Sequence, residues 1–206
     1  MLKMQTAERY NTTAFPANYV SIATRRLHAL EVWQFINIFL LSLVTGVFWG
    51  TWLGLSRSMS SLSAATFLEV GHTMIGNLGT VMALLMPVAM LSTLPVLYLL
   101  YRKRPKRFYV TLLGFMLFVL ALLITLLVEV PLDFQFQQWT LATLPANWQQ
   151  LRDRWELFHF LRSSFAVIGL SLLIAGALFW RDRYVATSRT SSRYTADLSE
   201  TKAPAR

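Results

Sequence analysis

Residues 108–128 read FYVTLLGFMLFVLALLITLLV, a run of 21 positions without a charged side chain. A helix needs roughly 20 mostly apolar residues to cross the hydrocarbon core of a bilayer. Three other uncharged runs, at 32–56, 73–101 and 163–180, have 25, 29 and 18 residues. We therefore predict an all-α integral membrane protein, a four-helix transmembrane bundle with spans at about 32–56, 73–101, 108–129 and 155–180.

The composition agrees with a membrane protein. Hydrophobic residues make up 55% of the chain and charged residues 14%, whereas an average soluble domain has roughly 25% charged residues. The chain contains no cysteine. Disulfides, thiolate metal ligands and thiol nucleophiles are therefore excluded.

Basic residues are distributed unequally between the two ends of the predicted bundle. The segment before the first span, the loop after the second and the tail hold 15 Lys and Arg against five acidic residues, whereas the other end holds four against five. By the positive-inside rule both termini are cytoplasmic. We predict a cytoplasmic N-terminal segment at 1–31, a transmembrane domain at 32–181 and a disordered cytoplasmic tail at 182–206, in the inner (plasma) membrane of a bacterium. The expected partner of the basic residues is the lipid bilayer, not nucleic acid.

Glycine and proline residues predict how the first two spans are shaped. Gly46, Gly50 and Gly54 recur at four-residue spacing, and such a smooth stripe favours close contact with another helix. Pro87 and Pro95 each remove a backbone donor, so the second span is expected to bend.

Other signals place the ends of the last two helices. Pro131 predicts the end of the third span and the start of an outer loop at 131–147. Asn147 is a suitable N-cap for a helix that begins at Trp148. That helix is longer than a span requires, so its first turns are predicted to extend beyond the outer interface.

Ionisable side chains collect at the outer end of the predicted bundle. Glu129 follows the 21 uncharged residues of the third span, and His159 and Arg162 lie on the outer part of the last helix. A carboxylate next to hydrocarbon normally has a partner. The expected partner of Glu129 is Arg162 or His159, and we predict a structural tie between Glu129 and Arg162.

Two Glu-x-x-His pairs, Glu69/His72 and Glu156/His159, suggest a different use of the same region. Residues three positions apart lie on one face of a helix. Two such pairs and Glu129 resemble the ligands of carboxylate-bridged dimetal bundles, although the second single carboxylate of that pattern is missing. We predict no cofactor, with a divalent metal bound by these five residues as the alternative.

Short motifs in the C-terminal half carry a family resemblance. They are VEVPL at 128–132, LPANW at 144–148 and LRDRW at 151–155, with Trp139, His159 and Arg162. These motifs resemble the anthrone-oxygenase-like family of four-helix membrane proteins, mostly a domain of unknown function. The resemblance is closest over 129–176 and looser over the first two spans. It implies oxidation of polycyclic phenolic substrates without a recognised cofactor, at a pocket near the outer mouth.

Two classes of function remain open at this point. In the enzyme hypothesis, a lipophilic phenolic or quinol-like molecule enters from the lipid between helices, and His159 or Glu129 removes a proton. Arg162 and Asn77 then steady the anion that reacts with oxygen. The expected ligand-binding residues are Asn77, Trp148, Trp155 and Arg152. In the alternative hypothesis the polar cluster is an interhelical clasp, and the protein binds a lipid or a partner helix without catalysis. A homo-oligomer is compatible with both.

Overall fold

The computed structural model describes residues 17–101 and 104–179, with side chains from Arg25 onward. All regular structure in this part of the chain is helical, without a strand. Two π-helical turns, at Trp52–Ser56 and Thr125–Glu129, interrupt the α-helices. The α-helices are α1 (Ala17–Thr51), α2 (Arg57–Met59), α3 (Ala64–Leu91), α4 (Thr93–Leu100), α5 (Pro105–Ile124), α6 (Val130–Gln138) and α7 (Trp148–Leu178). The predicted disordered tail lies outside the described residues, as do residues 1–16.

Four helical segments are long and apolar enough to cross a membrane, as predicted. They are Arg25–Met59, Ala64–Leu100, Pro105–Gln138 and Trp148–Leu178. Large apolar side chains cover their outer surface, among them Phe35, Leu84 and Leu127. Such extensive apolar exposure suits lipid and not water. The protein is therefore an integral membrane protein with a helical bundle.

The second span divides into two helices at Ser92, between the two prolines that predicted a bend. Its helix divides at Ser92 into α3, which contains Pro87, and α4, which has Pro95 near its start. Asn37 of α1 stabilises the break, because its Nδ2 donates to Ser92 Oγ at 2.9 Å and to Thr93 Oγ1 at 2.8 Å. Polar groups inside hydrocarbon need such partners.

The third span differs from the prediction, because its helix continues past Pro131. The π-helical turn Thr125–Glu129 comes first, and Pro131 then lies in the first turn of α6. Proline is tolerated in a first turn, where its missing N–H has no intrahelical partner to lose. Residues 131–138 are therefore helical, and the expected outer loop at 131–147 shortens to 139–147.

The closest helix crossing is between α5 and α7. A Cβ atom added at Gly169 would lie 3.0 Å from the Gly114 carbonyl oxygen and 3.1 Å from the Phe118 ring. In contrast, a Cβ at Gly46 or Gly50 would meet nothing within 4 Å. The predicted glycine contact of the first span is therefore not made within the described chain. The glycine stripe of α1 faces away from the bundle. Two helices approach closely at Gly114 of α5 and Gly169 of α7 instead.

Helix α6 lies at the end of the bundle opposite the start of α5 at Pro105, and this end is called the outer end below. The Phe136 ring packs against Phe67 of α3, with ring centroids 5.4 Å apart. His72 Nε2 donates to the Phe136 carbonyl oxygen at 2.8 Å. Leu132 and Trp155 are buried in the same apolar layer. This layer separates the interior of the bundle from the outer surface.

Candidate functional site

Three ionisable side chains meet inside the bundle, one from the third span and two from α7. Arg162 Nη2 lies 3.0 Å from Glu129 Oε2 and 2.7 Å from His159 Nδ1. His159 Nδ1 lies 3.5 Å from the same carboxylate oxygen. Glu129 is 0% exposed and His159 is 2% exposed. The predicted tie between Glu129 and Arg162 is confirmed, and His159 belongs to it.

The neighbours of His159 define its tautomer. A guanidinium group only donates hydrogen bonds, and a carbonyl oxygen only accepts them. Because Arg162 donates to Nδ1, that nitrogen carries a lone pair. Nε2 lies 3.2 Å from the Phe48 carbonyl oxygen and 3.0 Å from Thr51 Oγ1, so it carries the proton and donates to them. We therefore assign His159 as the neutral imidazole protonated at Nε2.

Arg162 is held on several sides. Its Nη1 donates to Thr125 Oγ1 at 3.2 Å, in addition to the contacts with Glu129 and His159. Its guanidinium carbon lies 4.6 Å from the centroid of the Phe48 ring, a cation–π contact. Its Nε has no hydrogen-bond partner among the described residues. The guanidinium group is thus fixed in position with one donor unused.

Both π-helical turns lie next to this cluster. Thr125 and Glu129 are the first and last residues of the second turn, and Thr51 directly precedes the first. A π-helical turn accommodates one extra residue within a helix and is frequent at functional sites. Here the second turn brings Thr125 and Glu129 to the same guanidinium group.

A cavity of about 310 Å³ adjoins the cluster. Its walls are mainly apolar and include Met74, Met82 and Met86 of α3. Ligand pockets typically combine such walls with a few polar groups. The polar side chains on the wall are those of Thr51, Thr125, Asp133, His159 and Arg162. All five come from the outer halves of their helices, so the cavity has a polar outer end and an apolar inner end. Glu129 lies behind Arg162 and His159 and does not line the cavity.

One of the four predicted ligand-binding residues lines the cavity, and the other three lie outside it. Trp155 lines the cavity, and its ring stacks on His159 with centroids 4.9 Å apart. Asn77 is exposed on the surface of α3 and does not line the cavity, because α3 turns its methionine face inward. Trp148 and Arg152 pack against each other in the outer layer, with the guanidinium carbon 5.3 Å from the ring centroid. They also lie outside the cavity.

The five residues of the metal hypothesis do not come together. Glu69 is exposed, His72 donates to the backbone of α6, and Glu156 Oε1 lies 3.8 Å from Arg152 Nε. Among the five, Glu129 and His159 approach each other, with His159 Nδ1 3.5 Å from Glu129 Oε2. Among the described residues, no group of three or more His, Asp or Glu side chains is arranged to hold a metal ion.

Asp133 is a cavity residue that sequence reasoning missed. Its Oδ1 accepts a hydrogen bond from Trp155 Nε1 at 2.9 Å. It follows Glu129 by four residues, a spacing that places both on one side of a helix. From the sequence, Pro131 predicts the end of the helix and therefore places Asp133 in a loop, not on the same helix as Glu129. The sequence did not indicate that Thr51 and Thr125 line the cavity. A threonine hydroxyl in a membrane helix commonly donates a hydrogen bond to a carbonyl of its own helix and so does not point to a site.

Fold and site together define a helical membrane protein with four spans and a ligand-sized cavity beside a buried Glu–His–Arg cluster. The family model of anthrone oxygenase matches residues 79–172. The resemblance expected from the sequence is thereby confirmed over that part of the chain, which includes the cluster and most of the cavity. No curated protein and no solved structure matches the chain.

Proposed function

We propose that the protein is an oxygenase-like membrane enzyme that oxidises a lipophilic phenolic or anthrone-like molecule bound in the cavity. The main support is the position of Arg162 and His159 on the wall of a mainly apolar cavity. A volume of about 310 Å³ suits a small aromatic ligand, since ligand pockets range from roughly 300 to 1,000 Å³. The match to the anthrone oxygenase family supports the same class of substrate.

Arg162 is proposed to stabilise the substrate anion. A guanidinium group stays cationic in proteins, and a fixed charge in an apolar cavity stabilises developing negative charge strongly. Arg162 Nε has no hydrogen-bond partner among the described residues and is the donor proposed for the substrate oxygen. The expected ligand oxygen is a phenolate or the enolate formed when an anthrone loses its acidic C–H proton.

His159 is proposed to accept that proton. Its Nδ1 lone pair accepts a hydrogen bond from Arg162 Nη2, and it becomes available when the bound substrate displaces that hydrogen bond. The resulting imidazolium has Glu129 Oε2 3.5 Å from Nδ1, which compensates the new charge as carboxylates do in catalytic triads. Glu129 itself is proposed as a positioning residue, because it does not line the cavity.

The overall reaction balances without a further reductant. The substrate CH₂ carbon loses two hydrogens and gains one oxygen atom of O₂, forming a carbonyl group. The second oxygen atom leaves with the two hydrogens as water. The protein contributes the first proton removal and stabilisation of the anion, which is the species that transfers electrons to oxygen.

Oxygen consumption with an anthrone tests this proposal. We expect His159→Gln to lower kcat by about 10²- to 10⁴-fold, the usual contribution of a general base. The protein should be purified, returned to liposomes and compared with protein-free liposomes, because anthrones also react slowly with oxygen unaided. His28→Gln is the matched control, since that side chain is 73% exposed and distant from the cluster along α1.

The alternative function is a structural clasp without catalysis. Full burial of Glu129 away from the cavity favours it, since an ion pair between helices requires no ligand. In that case His159→Gln lowers the melting temperature, and wild-type protein consumes oxygen no faster than empty liposomes. An active protein with an inactive, normally melting His159→Gln variant excludes the clasp as the sole role.

We also propose that both termini face the cytoplasm, on the support of the basic residues at that end of the bundle. A reporter enzyme that is active only in the cytoplasm should be active when fused after Arg206 and inactive when inserted within 139–147. A reporter that is active only outside the plasma membrane should give the opposite results. Reversed activities would overturn the orientation.

A further inference from the structure

The cavity is enclosed on most of its sides by packed helices. Helix α5 packs along α7, and α1 packs against both α7 and α3. At the inner end the bundle is filled by buried apolar side chains that include Leu41, Ala89 and Phe118. At the outer end α6 and the layer around Phe67 and Phe136 cover the bundle. These surfaces leave little space for a ligand to enter from either aqueous side.

The remaining side lies between α3 and α5. Among the described residues the backbones of these two helices approach each other at few points, yet both helices line the cavity. Gly79, Ala83 and Pro87 of α3 line the cavity and are also exposed at the surface. Across from them Leu126, at the end of the third span, lines the cavity and is 53% exposed. A slot between α3 and α5 through which the cavity reaches the protein surface would account for this exposure.

Small residues keep this slot open. Gly79, Ala83 and Pro87 recur every four residues, so they form one edge of the slot on a single face of α3. A Cβ atom added at Gly79 would meet nothing within 4 Å. The adjacent residues Leu84 and Leu127 are apolar and each 71% exposed. In an integral membrane protein such a surface faces lipid tails.

We propose that the ligand enters the cavity sideways from the hydrocarbon layer, through the slot between α3 and α5. This inference rests on the proposed function in taking the cavity as the ligand site. The polar groups lie at the outer end of the cavity and the slot edge is apolar. The ligand class is therefore a flat, lipid-dissolved amphiphile with one acidic hydroxyl or C–H group. That group is inserted towards Arg162, while the apolar remainder lies near the slot.

Single-cysteine labelling tests this route without using catalysis. The chain has no native cysteine, and Val47 lies on the α1 wall of the cavity. Val47→Cys protein in liposomes should react with the lipid-soluble N-(1-pyrenyl)maleimide. It should react much more slowly with a charged sulfonated maleimide supplied in water on both sides. Equal or faster reaction with the charged reagent would overturn the proposal, as would no reaction with either.

Obstruction of the slot gives the decisive comparison. In the Val47→Cys background, Ala83→Trp should slow pyrenylmaleimide labelling by about tenfold or more, equivalent to a barrier raised by about 1.4 kcal/mol. Leu84→Trp is the matched control, because the neighbouring side chain does not line the cavity. Gly79→Phe provides a second obstruction if Ala83→Trp lowers the melting temperature. Unchanged labelling in both obstructed variants, or equal slowing by Leu84→Trp, would overturn the slot.

The failure of this inference can be distinguished from failure of the proposed function. If labelling follows the expected pattern but the protein neither binds nor oxidises an anthrone, the slot stands and the proposed function fails. If Val47→Cys proteins with and without Ala83→Trp oxidise an anthrone at the same rate and are labelled alike, the function stands and the slot fails.

Discussion

Replacement of Glu129 by leucine is expected to lower the free energy of unfolding by about 3–5 kcal/mol, the cost of removing one partner of a buried ion pair. The variant leaves the Arg162 guanidinium inside the bundle, where its side chain is only 11% exposed. Arginine cannot escape this cost by losing its proton. The nearby carboxylate of Asp133 is engaged with Trp155 and does not replace Glu129. Unfolding by a denaturing detergent, followed by circular dichroism, measures the loss.

A double variant gives the control for this prediction. Replacing a buried ion pair by apolar residues of similar volume is often neutral or stabilising. Glu129→Leu/Arg162→Met is therefore expected to recover most of the stability that Glu129→Leu loses. The recovered protein should lack activity with an anthrone, because it lacks the anion-stabilising group. If the two substitutions are instead additive, the pair does not stabilise the fold in the way the distances indicate.

Replacement of Gly169 by valine is expected to destabilise the protein by about 3 kcal/mol, the upper part of the usual range for overpacking. A Cβ atom at this position would lie 3.0 Å from the Gly114 carbonyl oxygen and 3.1 Å from the Phe118 ring. The backbone oxygen cannot move without separating α5 from α7. The same detergent titration measures the effect.

Gly50→Val is the matched control for the helix crossing. It adds the same side chain to a membrane helix at a position where nothing lies within 4 Å. A surface substitution of this kind usually changes stability by about 0.5 kcal/mol or less. Equal destabilisation by the two variants would show that the α5–α7 crossing is not specially close, and a large effect of Gly50→Val would place a partner on the outward glycine stripe.

The spans and the polar cluster were predictable from the sequence. A run of 21 residues without a charged side chain is typical of a membrane-spanning helix. Glu129 interrupts that pattern at the edge of hydrocarbon, where an unpaired carboxylate is costly. His159 and Arg162 lie three residues apart and so share a helix face. These local rules were sufficient to predict the tie of Glu129 to Arg162.

The cavity and the true helix contacts were not predictable in the same way. Which side of α3 faces inward depends on its neighbours, so Asn77 was placed at the site although the methionine face lines the cavity. A repeated glycine spacing within α1 is visible in one segment, whereas Gly114 and Gly169 meet from separate helices. The π-helical turn before Pro131 changes the local hydrogen-bond register. It allows a helix where the proline rule predicts a stop.

Because the ligand enters through the slot between α3 and α5, its concentration in the bilayer determines how much of it the protein binds. A molecule that arrives from lipid tails is counted by its mole fraction in the bilayer, not by its amount per volume of buffer. Addition of protein-free vesicles then dilutes it in two dimensions, although the total amount in the sample stays the same. The product leaves by the same opening and can diffuse to another membrane protein without passing through water.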